Sequence, residues 1–331
     1  MLQTATKKIL VVTRRWPKEV ELRIARDYEP RINLADRFYS SDELINVSKG
    51  ADALLITGQD RMDADVISRL PGSVRVIATL SVGFDHIDLT AAVNRRILVT
   101  NTPEVVTDAT ADITILLLLG ASRRASEGQA LVRTDQWHDP RPTELLGWQL
   151  TGKNLGIYGM GRIGQAVAER ARAFRMKIHY TNLHRLGPEF EREAVFHADA
   201  RDLLSVSSFL TLHAPGTNAT AHFLNAETIE LLPPGAVVVN AARGSLVDDD
   251  ALIPALRSGR IAAAGLDVYN GEPHMRPEYR ALPNVFLLPH LGTATIETRT
   301  LMGMRGLDNV DAALDGKTPR DLLTAAPVSS R

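Results

Sequence analysis

Three polar side chains follow three apolar segments in the second half of the chain. Arg243 lies in "VVVNAARGSLVD", Glu272 in "GLDVYNGEP" and His290 in "LLPHLG". An arginine fork can clamp a carboxylate and polarise a neighbouring carbonyl oxygen, and a histidine can donate the proton that a reduced carbonyl needs. A carboxylate beside the imidazole favours the imidazolium and fixes the ring. The three residues together predict a site that reduces a 2-keto acid.

Each of these residues also has an ordinary structural explanation. Arg243 could form an ion pair before a helix whose first turn, Asp248 to Asp250, is acidic because of the helix dipole. Glu272 could be a turn residue before Pro273, and His290 could be a buried histidine with satisfied hydrogen bonds. The chemical interpretation gains weight because all three residues follow predicted parallel strands, whose carboxyl ends bind ligands in open α/β sheets.

A glycine-rich segment upstream predicts where a nucleotide would bind. In "NLGIYGMGRIGQAVAERARAF" a strand pattern is followed by Gly159, Gly161 and Gly164 and then by an amphipathic helix. The glycines allow a tight turn, close approach of backbone to a pyrophosphate and close helix–strand packing. Such turns also occur without ligands, but a second strand, "MKIHYT", arrives at the expected distance. We therefore predict a dinucleotide site.

The segment that should hold the adenine ribose contains no acid. In "IHYTNLHR", residues 178 to 185, Asn182 stands where a carboxylate would bind the ribose hydroxyls of NAD. Its absence removes a charge that would repel a 2′-phosphate, and Arg185 could attract that phosphate. Alternatively, Arg185 simply faces solvent. We predict use of NADPH, with NADH tolerated.

Composition narrows the class of protein. The chain has 331 residues, of which 44% are hydrophobic and 23% charged, with a formal net charge of −1 and no cysteine. We expect no nucleic-acid partner, because such partners require a basic face, and we assign no metal ligands. The most apolar segment, residues 113 to 121, is too short to span a membrane, and the N-terminus lacks a secretory pattern. A cytoplasmic location is the expectation.

The pattern of apolar runs predicts the fold class. Ten short runs alternate with helical patterns, which favours parallel sheets covered by helices. Because the fingerprint begins only at Gly159, the first hundred or so residues should form a separate unit with its own sheet. A helical pattern spans about Val105 to Val132. The segment "TDQWHDPRPTELLGW", residues 134 to 148, is expected to be a surface loop or an arm that crosses to a partner subunit.

Several segments together resemble the D-isomer-specific 2-hydroxyacid dehydrogenases, most closely their glyoxylate/hydroxypyruvate reductase and glycerate dehydrogenase branch. The resemblance rests on "GIYGMGRIGQAVAERARAF", "NVFLLPHLGTAT", the long segment from "LHAPGTNATAHF" to "GLDVYNGEP", and "TLSVGFDHIDL" at residues 79 to 89. It implies two doubly wound parallel-sheet domains, with a Rossmann cofactor domain at 102–291 inserted into a flavodoxin-like substrate domain at 1–101 plus 292–331. It also implies a homodimer joined through the cofactor domains, with an arm around Trp137.

The resemblance implies roles for individual residues. Arg243 would bind substrate, His290 would act as acid and base, and Glu272 would be its partner. Val82 and Gly83 would offer backbone amides to the substrate carboxylate, and Asp267 would meet the nicotinamide carboxamide. The remaining cofactor contacts would be Thr110, Gly159, Gly161, Arg162, Ile163, Gly164, Asn182, Arg185, His213, Pro215, Ala241 and Gly292.

The same resemblance leaves alternatives open. Glyoxylate and hydroxypyruvate are the expected substrates, but other members act on D-lactate, 2-ketogluconate, phosphoglycerate or phosphite. A formate dehydrogenase is disfavoured because Glu272 stands where glutamine is expected. A transcriptional corepressor that uses the fold to sense nucleotides is an alternative from another class, although the chain shows no extended partner-binding tail.

Overall fold

The computed structural model describes residues 7–139 and 141–324. The chain divides into two compact units, which we call the split unit, Met1–Val106 together with Ala294–Arg331, and the inserted unit, Thr107–Thr293. Each unit is built around its own parallel sheet. No helix in the described ranges combines the length and the apolarity that crossing a bilayer requires.

The split unit contains a five-stranded parallel sheet in the order β2-β1-β3-β4-β5. This is the doubly wound order of flavodoxin-like folds. Its strands are β1 Ile9–Val12, β2 Glu29–Ile32, β3 Ala53–Ile56, β4 Val76–Thr79 and β5 Leu98–Thr100. Its helices are α1 Lys18–Asp27, α2 Ser41–Val47, α3 Ala64–Arg69, α4 Leu89–Asn94 and α12 Ile296–Leu314.

The inserted unit contains a seven-stranded parallel sheet in the order β12-β11-β10-β9-β6-β7-β8. Its strands are β6 Asn154–Tyr158, β7 Lys177–Thr181, β8 Val195–Phe196, β9 Phe209–Leu212, β10 Ala236–Asn240, β11 Ile261–Leu266 and β12 Val285–Leu287. Its helices are α5 Thr107–Ser122, α6 Ala125–Arg133, α7 Arg162–Ala173, α8 Pro188–Glu191, α9 Ala200–Val206, α10 Ala226–Leu231 and α11 Asp249–Ser258, with 3₁₀ turns at Gly244–Leu246 and Pro277–Ala281.

The order of this second sheet is that of a Rossmann fold with one added strand, β12. Strand β10 shows why its sequence is a continuous apolar run. Val238 packs into the core on one face of the sheet, and Val237 and Val239 pack into the core on the other. Because helices cover both faces, alternation of apolar and polar residues is lost. The predicted fold class is confirmed.

Three details differ from the sequence predictions. All ten predicted strands form, but β2 and β8 are additional, and both lie at sheet edges. Pro30 in β2 has no amide to donate, which an edge strand tolerates. The predicted helix from 105 to 132 is not continuous, because Arg124 adopts a left-handed conformation with φ 52° between α5 and α6.

The segment from 134 to 148 forms no helix or strand in its described part and is largely exposed. Both predicted interpretations, a surface loop or an arm, are compatible with this conformation. Pro140, within the segment, lies outside the described residues. Trp137 and Leu146 expose 57% and 63% of their surface, so this segment presents apolar side chains that nothing within the described chain covers.

Candidate active site

His290 and Glu272 meet at the carboxyl edge of the inserted unit's sheet. They follow β12 and β11, which are neighbours in the sheet. The His290 Nδ1 atom lies 2.6 Å from Glu272 Oε1, and the two side chains expose 39% and 23% of their surface. The carboxylate thereby fixes the ring orientation and leaves Nε2, on the other side of the ring, as the nitrogen for proton transfer.

Backbone contacts to Asp267 fix the loop that carries His290. The amide of His290 donates to the carbonyl of Asp267 at 2.9 Å, and the Asp267 carboxylate accepts from the amides of Leu291 at 2.6 Å and Gly292 at 2.8 Å. His290 has a φ of 55°, a conformation that side chains rarely adopt. Burial raises the pKa of Asp267, while the two amide donors act in the opposite direction. Asp267 therefore holds His290 in place.

Tyr269 also supports this pair, and the sequence did not single it out. Its hydroxyl donates to the carbonyl of Leu288 at 2.8 Å and lies 3.0 Å from that of Leu266, and its amide lies 3.4 Å from Glu272 Oε2. Burial raises the pKa of Tyr269, so the hydroxyl stays protonated as a donor. Tyr269 thus connects the segment after β11 to the segment before His290.

Arg243 follows β10, the strand beside β11, and is half-buried. Buried Asn240 shapes its turn: the Asn240 side chain donates to the Arg243 carbonyl at 2.8 Å and accepts from the Ala242 amide at 3.0 Å. A Cβ on Gly244 would lie 2.1 Å from the carbonyl carbon of Tyr269. Only glycine fits there, so the Arg243 turn packs directly against the segment that leads to Glu272. Asn240 and Gly244 also escaped the sequence analysis.

The fingerprint glycines occupy three different environments. Gly159 has a φ of 93°, and a Cβ there would lie 2.7 Å from the Ala214 amide nitrogen. A Cβ on Gly164 would lie 2.7 Å from the Gly159 carbonyl oxygen, whereas one on Gly161 would meet nothing within 4 Å. Gly161 also precedes α7 and has no side chain to cap it. Open space before the amides of a helix N-terminus fits a bound pyrophosphate.

The end of β7 is tied to this glycine loop. Asn182 Oδ1 accepts from the amide of Met160 at 2.6 Å, and the amide of Gly159 donates to the carbonyl of Thr181 at 3.1 Å. Asn182 therefore lies beside the nucleotide loop, as its position in the sequence predicts, and brings no charge there.

Arg185 does not simply face solvent. Its Nε and Nη2 atoms donate to the two carboxylate oxygens of Glu191 at 2.8 and 3.0 Å. Its side chain is nevertheless 65% exposed. The predicted interaction with a cofactor phosphate would therefore involve a cation that already has a carboxylate partner.

The other predicted cofactor contacts are spread along the same sheet edge. His213 follows β9; its ring lies 2.9 Å from the Thr211 hydroxyl, and burial lowers its pKa to about 4. The Pro215 carbonyl accepts from the Thr220 hydroxyl. A Cβ on Gly292 would lie 3.3 Å from Asp267 and 3.7 Å from Thr110, so these three residues lie together. Ile163 and Ala241 pack against the core, and Arg162 begins α7.

In the split unit, the Val82–Gly83 turn follows β4, and side chains donate hydrogen bonds to its two carbonyls. Asn101 donates to the Val82 carbonyl at 2.8 Å, and Ser81 donates to the Gly83 carbonyl at 2.5 Å. The Ser81 hydroxyl in turn lies 3.0 Å from that of Thr79. Among the described residues, the amides of Val82 and Gly83 have no acceptor, and Val82 is 38% exposed. Amides oriented in this way suit a carboxylate.

Within residues 7–139 and 141–324, no cluster of three or more histidine, cysteine or acidic side chains could hold a metal ion.

Comparison with known proteins identifies the family. Residues 115–292, more than half of the chain, match the NAD binding domain of the D-isomer specific 2-hydroxyacid dehydrogenases. The chain belongs to this family. It is 45% identical to a glycerate dehydrogenase of Hyphomicrobium methylovorum, over 94% of this chain and 97% of that one. It is 39% identical to a glyoxylate reductase of Thermococcus litoralis, over 97% and 99%.

Solved structures of this dehydrogenase family share the fold. A D-isomer specific 2-hydroxyacid dehydrogenase from a Polaromonas species superposes with a TM-score of 0.91 at 42% identity, covering 96% of this chain and 100% of the other. An NADPH-dependent glyoxylate/hydroxypyruvate reductase from Sinorhizobium meliloti, in complex with NADP and malonate, gives 0.85 at 28% identity, covering 97% and 98%. The chain is thus an oxidoreductase of the glyoxylate/hydroxypyruvate reductase branch.

Proposed function

We propose that this dehydrogenase reduces glyoxylate and hydroxypyruvate to the corresponding 2-hydroxy acids with NADPH, and tolerates NADH. The contact between His290 and Glu272 carries the proposal, because a histidine held by a carboxylate is suited to protonate the oxygen of a carbonyl as it is reduced. The names of the Hyphomicrobium and Thermococcus relatives, glycerate dehydrogenase and glyoxylate reductase, support substrates of this size and chemistry.

In the proposed mechanism, Arg243 binds the substrate carboxylate and polarises the adjacent carbonyl with its planar pair of donors. The amides of Val82 and Gly83 provide further donors to the carboxylate. His290 gives the proton on Nε2 to the substrate oxygen, and Glu272 stabilises the imidazolium before the transfer. Asp267 and Tyr269 keep the histidine and its partner at fixed positions through their backbone contacts.

The inserted unit is proposed to hold the cofactor along the carboxyl edge of its sheet. The pyrophosphate would lie at Gly161 and the first turn of α7, where a Cβ meets no protein atom. Thr110, His213, Pro215, Ala241 and Gly292 would line the nicotinamide half. The bound cofactor supplies the hydride. His213 stays neutral at working pH because burial lowers its pKa to about 4, so it adds no positive charge beside the cofactor.

The preference for NADPH rests on Asn182. A carboxylate at this position would repel the 2′-phosphate at short range, at a cost of about 1 to 4 kcal/mol depending on the local dielectric. The S. meliloti reductase with NADP bound is a relative that uses this cofactor.

We also propose a homodimer joined through the inserted unit, in a cytoplasmic enzyme. Helix α6 buries none of its residues and exposes Val132, and Trp137 and Leu146 are exposed in the segment that follows it. Analytical ultracentrifugation would test this: a monomeric protein at micromolar concentration would reject the dimer.

The test of the reaction is a panel of keto acids. Glyoxylate, hydroxypyruvate, pyruvate and 2-ketogluconate are each assayed with NADPH and with NADH. We expect the highest kcat/KM for glyoxylate or hydroxypyruvate with NADPH. A higher value for pyruvate or 2-ketogluconate would reject the substrate assignment, and a higher value with NADH would reject the cofactor assignment.

A further inference from the structure

A buried carboxylate forms an ion pair with Arg185, three residues beyond Asn182. Glu191 lies at the end of α8, and only 12% of its side chain is exposed. Its Oε1 atom accepts from the buried hydroxyl of Tyr180 at 2.6 Å, and that hydroxyl accepts from the amide of Leu186 at 3.0 Å. Tyr180 belongs to β7, so the carboxylate is fixed from inside the sheet that carries Asn182.

On its outer side the same carboxylate binds Arg185 at two points, Nε at 2.8 Å and Nη2 at 3.0 Å. An arginine has five N–H donors, so this contact leaves three of them on an exposed side chain. Arg185 and Tyr180 hold the pKa of Glu191 below its usual range. The pair therefore carries opposite charges at working pH and adds no net charge to the surface beyond the end of β7.

The position of the pair follows from the chain. Arg185 is three residues beyond Asn182, and their Cα atoms are therefore within about 11 Å of each other. Asn182 is itself in contact with Met160 of the glycine loop. In Rossmann folds an arginine near this strand end accommodates the 2′-phosphate of NADP. The short chain separation allows Arg185 to reach the region of the 2′-phosphate, and Glu191 is its ion-pair partner.

We propose that Glu191 limits the discrimination between NADPH and NADH by neutralising Arg185. The proposal rests on the proposed use of both NADPH and NADH. It attributes the binding of both cofactors to Glu191, which need not contact either of them. Asn182 is uncharged and Arg185 is paired. The surface beyond the end of β7 therefore neither repels the 2′-phosphate nor attracts it with a full positive charge. Removing Glu191 exposes the cation, and removing Arg185 exposes the carboxylate.

The experiment is a double-mutant cycle read by ligand binding. Dissociation constants of 2′,5′-ADP and 5′-ADP are measured by calorimetry for the full-length wild type, Glu191→Gln, Arg185→Ala and the double variant. The ratio of the two constants isolates the 2′-phosphate. We expect Glu191→Gln to raise the preference for 2′,5′-ADP about fivefold, as one unit charge at roughly 8 Å predicts in physiological salt. Arg185→Ala should lower it by at least as much.

The double variant should return to within about twofold of the wild-type ratio, because the local net charge is again zero. The proposal is overturned if Glu191→Gln leaves the ratio unchanged or lowers it, since Glu191 would then be neutral or would help by orienting Arg185. The proposal is also overturned if the double variant shows a preference for 2′,5′-ADP as low as that of Arg185→Ala alone.

A matched ion pair serves as the control. Arg37 donates to the two carboxylate oxygens of Glu43 at 3.0 and 2.5 Å on the surface of the split unit. Glu43→Gln and Arg37→Ala change the total charge by the same amounts as the test variants, and the ratio should stay within about twofold of the wild type. If these controls shift the ratio as far as Glu191→Gln does, the effect is one of total charge and the proposal fails.

Salt dependence gives a second measurement that does not need Glu191→Gln to fold. In Arg185→Ala the exposed carboxylate should repel the phosphate, so the preference for 2′,5′-ADP should recover as salt rises from about 0.01 M to about 1 M. A preference that stays constant or falls would overturn the proposal. Because nucleotide fragments are the probes, these results do not depend on keto-acid turnover. A wild type that prefers 5′-ADP would reject the proposed NADPH use, whereas the direction in which Glu191→Gln moves the ratio would still support or overturn the role of Glu191.

Discussion

The Nδ1 atom of His290 lies 2.6 Å from Oε1 of Glu272, so the imidazole presents its Nε2 atom for proton transfer. This contact joins two loops that follow adjacent strands, β11 and β12. The chemistry attributed to the pair depends on that single contact and on the backbone that holds it.

Replacing His290 with alanine should abolish most of the turnover while the cofactor still binds. A positioned acid contributes about 10² to 10⁴ in rate, and it acts only in the chemical step, so kcat should fall by that order. Steady-state reduction of glyoxylate measures the turnover, and fluorescence titration with NADPH measures cofactor binding. Unchanged turnover in His290→Ala would remove the assignment of the proton donor.

Arg243→Lys should damage both KM and kcat. An ammonium group is a point charge and cannot reproduce a planar fork that holds a carboxylate at two points, so we expect kcat/KM to fall by about tenfold or more. Arg201→Lys, at an exposed ion pair of the same unit, is the control. A KM equal to that of the wild type would mean that Arg243 has only a structural role.

Tyr269→Phe tests whether the support of the catalytic pair matters. The hydroxyl contacts the carbonyls of Leu266 and Leu288, and loss of a buried donor costs about 1 to 3 kcal/mol. We expect a melting temperature lower by several degrees and a reduced kcat with little change in cofactor affinity. Tyr39→Phe, whose hydroxyl has no described hydrogen bond, controls for the substitution. A lower melting temperature with an unchanged kcat would show that Tyr269 serves stability alone.

The elements that the sequence predicted are those with a strong local signal. Ten apolar runs became strands because both faces of each sheet are covered, as in β10, where Val237 and Val238 pack on opposite sides. Strand β2, "EPRI", has no such run and forms because it can pair with β1 at the edge. The break at Arg124 was missed because nothing in the local sequence requires its left-handed conformation.

Parts of the candidate site could not be predicted for a different reason. Tyr269 acts through a hydrogen bond from its hydroxyl to the backbone of Leu288, and this contact exists only once β11 and β12 are aligned. Asn240 instead bonds within its own turn, to the backbone of Ala242 and Arg243. Glu191 follows Arg185 by six residues, a spacing that matches neither the helical nor the strand period. Their contact depends on the turn before α8. Gly187 and Pro188 indicate a turn there, but they do not specify which side chains that turn brings together.

Asn182→Asp should shift preference toward NADH. The new carboxylate can still accept from the amide of Met160, as Asn182 does at 2.6 Å, so the glycine loop should keep its conformation. The added charge would repel a 2′-phosphate and accept from ribose hydroxyls. We expect the ratio of kcat/KM for NADPH to that for NADH to fall about tenfold. A ratio that does not move would show that the phosphate lies elsewhere.

The folded protein should lose stability in mild acid through His213. Burial lowers the pKa of His213 to about 4, whereas an unfolded histidine titrates near about 6.5. Between these values the unfolded state binds more protons, so the contribution of neutral His213 is fully present above about pH 6.5 and is lost as the pH falls toward about 4. His213→Asn should therefore flatten the decline in the free energy of unfolding over this window, measured by urea titration of the cofactor-free protein at pH 7 and pH 5. The control is His138→Asn at an exposed position, which should leave the wild-type slope intact. If His213→Asn declines as steeply as the wild type, the acid sensitivity arises from other groups.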